Sequence, residues 1–112
     1  MRINDIRLSP HFRLMEFECR CCGAVKLLPD LIELLEAIRS GFGRPMVITS
    51  GYRCAGHNRA VRGSKRSLHL LGRAADVRAD MEEQMEIESL AKNMGFSEII
   101  CGNKSHYIHL AL

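Results

Sequence analysis

A small α+β domain, with an antiparallel sheet flanked by helices, is the fold class this sequence predicts. Three observations predict it. The chain has 112 residues, room for a single domain over 1–112 with one modest core. Hydrophobic residues at 46% and charged residues at 26% make a globular balance rather than a disordered one. Helical signals come first along the chain, and short alternating apolar runs follow around one more helix.

Taken in order, Leu8–Phe17 predicts one short helix, because Ser9 before Pro10 is a helix-entry signal. Cys19–Cys22 predicts a loop. Pro29 and Asp30 open a helix whose Leu31, Leu34, Leu35 and Ile38 share one stripe, with Gly41 expected to stop it. Gly43–Pro45 reads as a turn, and Met46–Thr49 as a strand that bends at Ser50 and Gly51. Cys54–Val61 predicts a short helix carrying His57 and Asn58, broken by Gly63 and Ser64.

Ala74–Ala79 alternates, with Ala75 and Val77 on one face and Asp76 and Arg78 on the other, as in a half-buried strand. Met81–Met94 is the next helix, N-capped by Asp80 and ended by Gly95. Phe96–Cys101 is a strand and Gly102–Ser105 a turn. In the last strand, Tyr107–Leu112, the residues Ile108, Leu110 and Leu112 face the core and His109 points away.

Several function classes are disfavoured at this level. No apolar run approaches the ~20 residues of a membrane span, so no membrane insertion is expected. Charges interrupt the apolar residues of Met1–Arg7, so the chain is expected to be made in the cytoplasm without a signal peptide. The net charge of +3 is mild, although Arg53, Arg59, Arg62, Lys65, Arg66, Arg73 and Arg78 face only Asp76 in their stretch. A basic nucleic-acid module is therefore an alternative. It is a weak one, because among the aromatic residues only Tyr52 interleaves with that run.

The five cysteines form an odd number, and three of them crowd into Cys19, Cys21 and Cys22. Without a signal peptide a full disulfide framework is not expected. The spacing Cys-x-Cys-Cys also departs from the Cys-x-x-Cys pairs of structural zinc sites. Free thiols are the default reading for these residues and for Cys101. Cys54 joining the cluster in space would leave a metal or one disulfide open.

The chemistry concentrates in Ser67–Asp76 and near the C-terminus. His69 and Asp76 flank Gly72, which lets the chain double back so that both side chains reach one point. His109 leaves the polar face of the last strand. Two imidazoles and a carboxylate with a fourth position open are the ligand set of a catalytic zinc. Such an ion acidifies a water and polarises a carbonyl. Singly, each residue has a plainer reading: His69 among Leu68, Leu70 and Leu71 as a hydrogen-bonded core histidine, Asp76 as a cap.

The pattern Ser67-x-His69-x-x-Gly72-x-Ala74-x-Asp76, followed by His106-x-x-His109, resembles the zinc D-Ala-D-Ala carboxypeptidase family of LAS-type metallopeptidases. The likeness extends to Phe12–Phe17, Gly43–Pro45, Ile48–Arg53 and His57–Asn58, almost the whole chain. It implies the hedgehog/DD-peptidase fold, one zinc per chain, and His69, Asp76 and His109 as its ligands. It implies His106 as the catalytic proton-transfer residue and Arg53 as the side chain that grips substrate and steadies the oxyanion. Ser50 and Ser67 match substrate-side positions. Because residues three apart in a strand face opposite sides, His106 is expected in the turn after Ser105.

The resemblance further implies hydrolysis of an amide bond in peptidoglycan stem peptides or cross-links by a monomer acting at the periplasmic or extracellular cell wall. The chain shows neither a separate wall-binding module nor an export signal, which would suit a phage lysis or virion protein. An inactive zinc-binding domain of the same fold is the alternative within the family.

Overall fold

The computed structural model describes residues 2–102 and 106–112. The chain begins with a hairpin of two short strands, β1 (Arg7–Ser9) and β2 (Phe12–Arg13), followed by a 3-10 turn over Leu14–Phe17. The expected helix over Leu8–Phe17 is thus confined to its last four residues. Ser9 and Pro10 instead sit at a hairpin turn, which Glu36 holds by accepting the His11 backbone N–H at 2.9 Å. A long-range carboxylate decides this segment against its local helix signal.

Helix α1 (Pro29–Phe42) starts with proline in its first turn and buries Leu31, Ile32, Leu35, Ile38 and Phe42. It ends at Gly43, which takes a left-handed φ of 74° and donates its N–H to the Arg39 carbonyl. Gly41, expected to stop the helix, lies inside it. A Cβ there would meet the Leu90 side chain at 2.9 Å, so the residue serves the packing of α1 on α3 (Met81–Ala91). Helix α3 carries the expected Asp80 cap in reciprocal form. Asp80 accepts the Glu83 N–H at 2.8 Å, and the Glu83 carboxylate accepts the Asp80 N–H at 3.0 Å. It stops at Ala91, short of Met94, where Asn93 and Gly95 adopt positive φ.

Between the helices lie β3 (Ile48–Ser50), the short helix α2 (Ala55–Ala60), a second 3-10 turn over Leu68–Leu71 and β4 (Ala74–Arg78). Strands β5 (Glu98–Gly102) and β6 (Tyr107–Ala111) complete the chain. The turn expected over Gly102–Ser105 lies, beyond Gly102, outside the described residues. The main sheet has the order β3-β4-β6-β5, antiparallel throughout. Its core face meets α1 and α3 through Val77, Ile108, Leu110, Leu35, Ile38 and Ile87. Burying a large aliphatic side chain fully is worth ~1.5–3 kcal/mol, so this face holds the register.

Strand β4 is more enclosed than its alternation suggests: Ala74, Ala75, Asp76 and Val77 are all buried. The 3-10 turn bearing His69 covers the face of the sheet that was expected to meet solvent. The same turn replaces the loop expected around His69.

Candidate metal centre

Register places two of the three predicted donors. Asp76 on β4 and His109 on β6 are direct cross-strand partners on the face away from the hydrophobic core. His69 reaches the same point from the turn before β4. That turn closes through Gly72, at φ 69°, whose Cβ position would lie 2.3 Å from the Lys26 carbonyl oxygen. Only glycine satisfies both the left-handed conformation and the close approach.

The donor atoms of His69, Asp76 and His109 lie within 4.8 Å of one another. His69 Nε2 is 3.2 Å and His109 Nδ1 is 2.9 Å from the same oxygen, Asp76 Oδ1. The outer ring nitrogens are engaged elsewhere. His69 Nδ1 donates to the Gly51 carbonyl at 2.7 Å, and His109 Nε2 donates to Glu98 at 2.8 Å. Both rings therefore turn the other nitrogen inward, toward a carboxylate. Three electron-pair donors converging in this way need protons or a cation between them, and the set fits a zinc ion.

The charges agree with this. Burial alone would raise the Asp76 carboxyl, but hydrogen bonds from His109 and His69 outweigh it and hold the group at about 2. Burial lowers the His109 imidazole, and the Asp76 and Glu98 carboxylates reverse that, leaving it above its ordinary value. In the metal-free chain Asp76 therefore stabilises the fold above pH 3.8, and loses this as pH falls toward 2. His109 contributes in full below 6.5, and its contribution is lost as pH rises through its raised value.

The urea midpoint of the metal-free chain should accordingly exceed that of a metal-free His109→Gln variant most clearly between pH 4 and 6.5. The gap should narrow at higher pH, while zinc affinity rises as the competing proton leaves. A gap that widened from pH 6.5 to 8 would contradict this assignment of charge.

Arg53 stands beside the donors. Its Nη2 lies 3.5 Å from Asp76 Oδ2, its Nε donates to Ser50 Oγ at 3.2 Å, and its Nη1 donates to Asn58 Oδ1 at 3.2 Å. Asn58 is itself buried and tied to the Ser64 carbonyl at 2.9 Å. Ser67 caps the His69 turn by accepting the His69 N–H at 3.2 Å. Arg53, Ser67, His69, Asp76 and His109 line one open cleft of about 370 Å³, together with Glu98 and Tyr107.

His106 is exposed, outside the cleft lining, and lies one residue before β6 with a left-handed φ of 53°. Its carbonyl accepts the Ala79 N–H at 2.8 Å. The backbone here leaves strand geometry, as the spacing to His109 demands.

Two supporting roles escape a reading of the sequence, which singles out Asn58 only as part of the family likeness. Glu98 reaches His109 because β5 pairs with β6, and Asn58 on α2 accepts from Arg53. A carboxylate behind a ligating histidine typically contributes ~10–100-fold in metal affinity. Glu98→Ala should lose that much zinc affinity in a competition titration, and an unchanged affinity would remove Glu98 from the centre. The structure also gathers Cys19, Cys21, Cys22 and Cys54 with their sulfur atoms within 4.8 Å of one another. Burial raises the Cys19 thiol, but the backbone N–H groups of Cys54, Cys21 and Cys22 bring it down to about 6.

A His–Asp–His donor set in an open cleft lined also by Arg53 is the kind of arrangement that could hold a catalytic metal ion. Residues 10–111 match the model of the peptidase M15 family, and the chain belongs to that family. It is also similar to a zinc D-Ala-D-Ala carboxypeptidase of Streptomyces albus G, 34% identical over 67 residues. That match covers 59% of this chain and 26% of the relative's length. The mixed fold with its small antiparallel sheets agrees with the family, as the sequence predicts. Among the described residues no helix is long and apolar enough to cross a membrane.

Proposed function

We propose that this chain is a zinc-dependent peptidase that hydrolyses an amide bond in peptidoglycan stem peptides or cross-links, of D-Ala-D-Ala carboxypeptidase or endopeptidase type. The observation that carries the reading is the convergence of His69, Asp76 and His109 in a cleft shared with Arg53, with both imidazoles held from behind by Gly51 and Glu98. The carboxypeptidase similarity supports the substrate class. One zinc held by these three residues would supply a Lewis acid that acidifies water and polarises the scissile carbonyl.

The chain's own groups do the rest. Arg53, braced by Ser50 and Asn58, offers a planar fork to a substrate carboxylate or a developing oxyanion. Ser67 contributes polar lining on the substrate side. His106 takes a proton from the attacking water and returns it to the leaving amine, which requires its ring to turn in from solvent. The protein acts as a monomer on the cell wall, in the periplasm or outside the cell.

A second reading, a zinc-binding domain without turnover, is favoured by one observation: the exposed His106 does not line the cleft. Mass spectrometry of muropeptides from purified peptidoglycan incubated with the zinc-loaded protein separates the two. Shortened stem peptides or opened cross-links support the peptidase, and an unaltered profile with zinc still bound overturns it. Arg53→Lys should keep the zinc and lose ~100–1000-fold in turnover, because an ammonium lacks the bidentate fork. Full turnover in that variant would reduce Arg53 to a surface charge.

A further inference from the structure

The cysteine cluster is a second donor group, separate from His69, Asp76 and His109, and none of its members lines the cleft. Its Sγ atoms approach one another closely, Cys21 to Cys54 at 3.4 Å and Cys19 to Cys21 at 3.8 Å, with all four within 4.8 Å. A tetrahedral zinc with sulfur ligands at about 2.3 Å has ligand–ligand edges of about 3.8 Å. The cluster has the size of that tetrahedron.

Local structure builds it from two directions. The Cys19 N–H donates to the Ala24 carbonyl at 2.7 Å, and the Gly23 N–H to the Cys19 carbonyl at 2.9 Å. This closed turn, with Gly23 at φ 76°, presents Cys19, Cys21 and Cys22 together. Cys54 arrives as the N-cap of α2, where its sulfur accepts the His57 N–H at 3.4 Å. Cys19 sulfur accepts the Cys54 N–H at 3.4 Å. Such N–H···S bonds are the outer contacts that favour thiolates over thiols.

Core packing does not account for the group, because Cys21 and Cys22 are exposed. Four soft thiolates select zinc over hard cations, and four protein ligands leave no position for substrate.

We propose that Cys19, Cys21, Cys22 and Cys54 form a second, structural zinc site. It raises the count from the one zinc per chain expected from sequence to two, and it does not rest on the peptidase reading. The site bolts the Cys19–Cys22 loop to the segment that serves the first centre. In that segment the Tyr52 N–H donates to the Phe17 carbonyl at 2.8 Å, the Gly51 carbonyl holds His69, and Arg53 precedes Cys54.

Zinc is measured on reduced wild type and on His109→Ala, before and after p-hydroxymercuribenzoate, with a chromogenic chelator reporting what is released. The expected wild type holds two equivalents, one of them freed by the mercurial. His109→Ala keeps that one. With Co2+ in place of zinc, His109→Ala should show thiolate-to-cobalt charge-transfer absorption, and Cys22→Ser should weaken it.

The mercurial count uses unaltered protein and does not depend on a variant folding. A wild type with one zinc that the mercurial does not free overturns the cysteine site while sparing the histidine centre. One zinc that the mercurial frees, and that His109→Ala retains, does the reverse. Iron in place of zinc, or two thiols missing from a denatured thiol count because of a disulfide, also overturns the proposal.

Discussion

Replacing His69 or His109 by alanine is expected to strip zinc from the histidine centre and to lower peptidoglycan hydrolysis by about 1000-fold or more. The magnitude follows from what the ion contributes. Lewis-acid stabilisation of transition-state charge is worth several kcal/mol, and each ~1.4 kcal/mol is tenfold in rate. Two ligands cannot hold the ion as three do, so metal and rate should fall together. His109 is the cleaner position, because its ring is partly exposed whereas His69 is buried and its loss would leave a cavity. Zinc content, far-UV circular dichroism and muropeptide release are measured on the same samples. Retained hydrolysis in zinc-depleted, folded His109→Ala would place the chemistry elsewhere.

His106→Ala should behave differently, keeping zinc and fold while turnover drops ~100–10,000-fold, the usual contribution of a positioned proton-transfer group. The structure sharpens this expectation. His106 is exposed and touches none of the three donors by hydrogen bond, so its removal has little to disturb in the resting chain. Its effect should therefore fall on turnover and on the pH profile, not on metal content. Zinc loss in this variant would make it a ligand. Unchanged hydrolysis would leave it an exposed turn residue before β6, and Glu98, which does line the cleft, would be the next group to test.

Much of the fold was legible residue by residue. The Asp80 cap, the α1 stripe and the alternation of Ile108, His109 and Leu110 depend on neighbours within a turn or two, where hydrogen bonding and periodicity act directly. The His69–Asp76 pair was legible for the same reason, since one left-handed glycine joins them across seven residues. Local signals misled where a distant group intervened. Glu36 draws the Ser9–His11 stretch into a hairpin, and Leu90 packs on Gly41 inside a helix that the glycine was expected to end.

What the sequence determined by itself is therefore a set of elements, their polar and apolar faces, and the short motif that carries two of the three donors. Only the tertiary structure decided that β6 lies between β4 and β5, which sets His109 opposite Asp76 and brings Glu98 behind it. It alone brought Cys54 to Cys19, thirty-five residues away, and folded Asn58 against Arg53. The physical reason is common to these cases. Propensity, capping and periodicity are set by adjacent residues, whereas register and convergence are set when Val77, Ile108 and Leu110 are buried against α1 and α3. That burial has one best pairing of strands, and the polar face inherits its geometry from it.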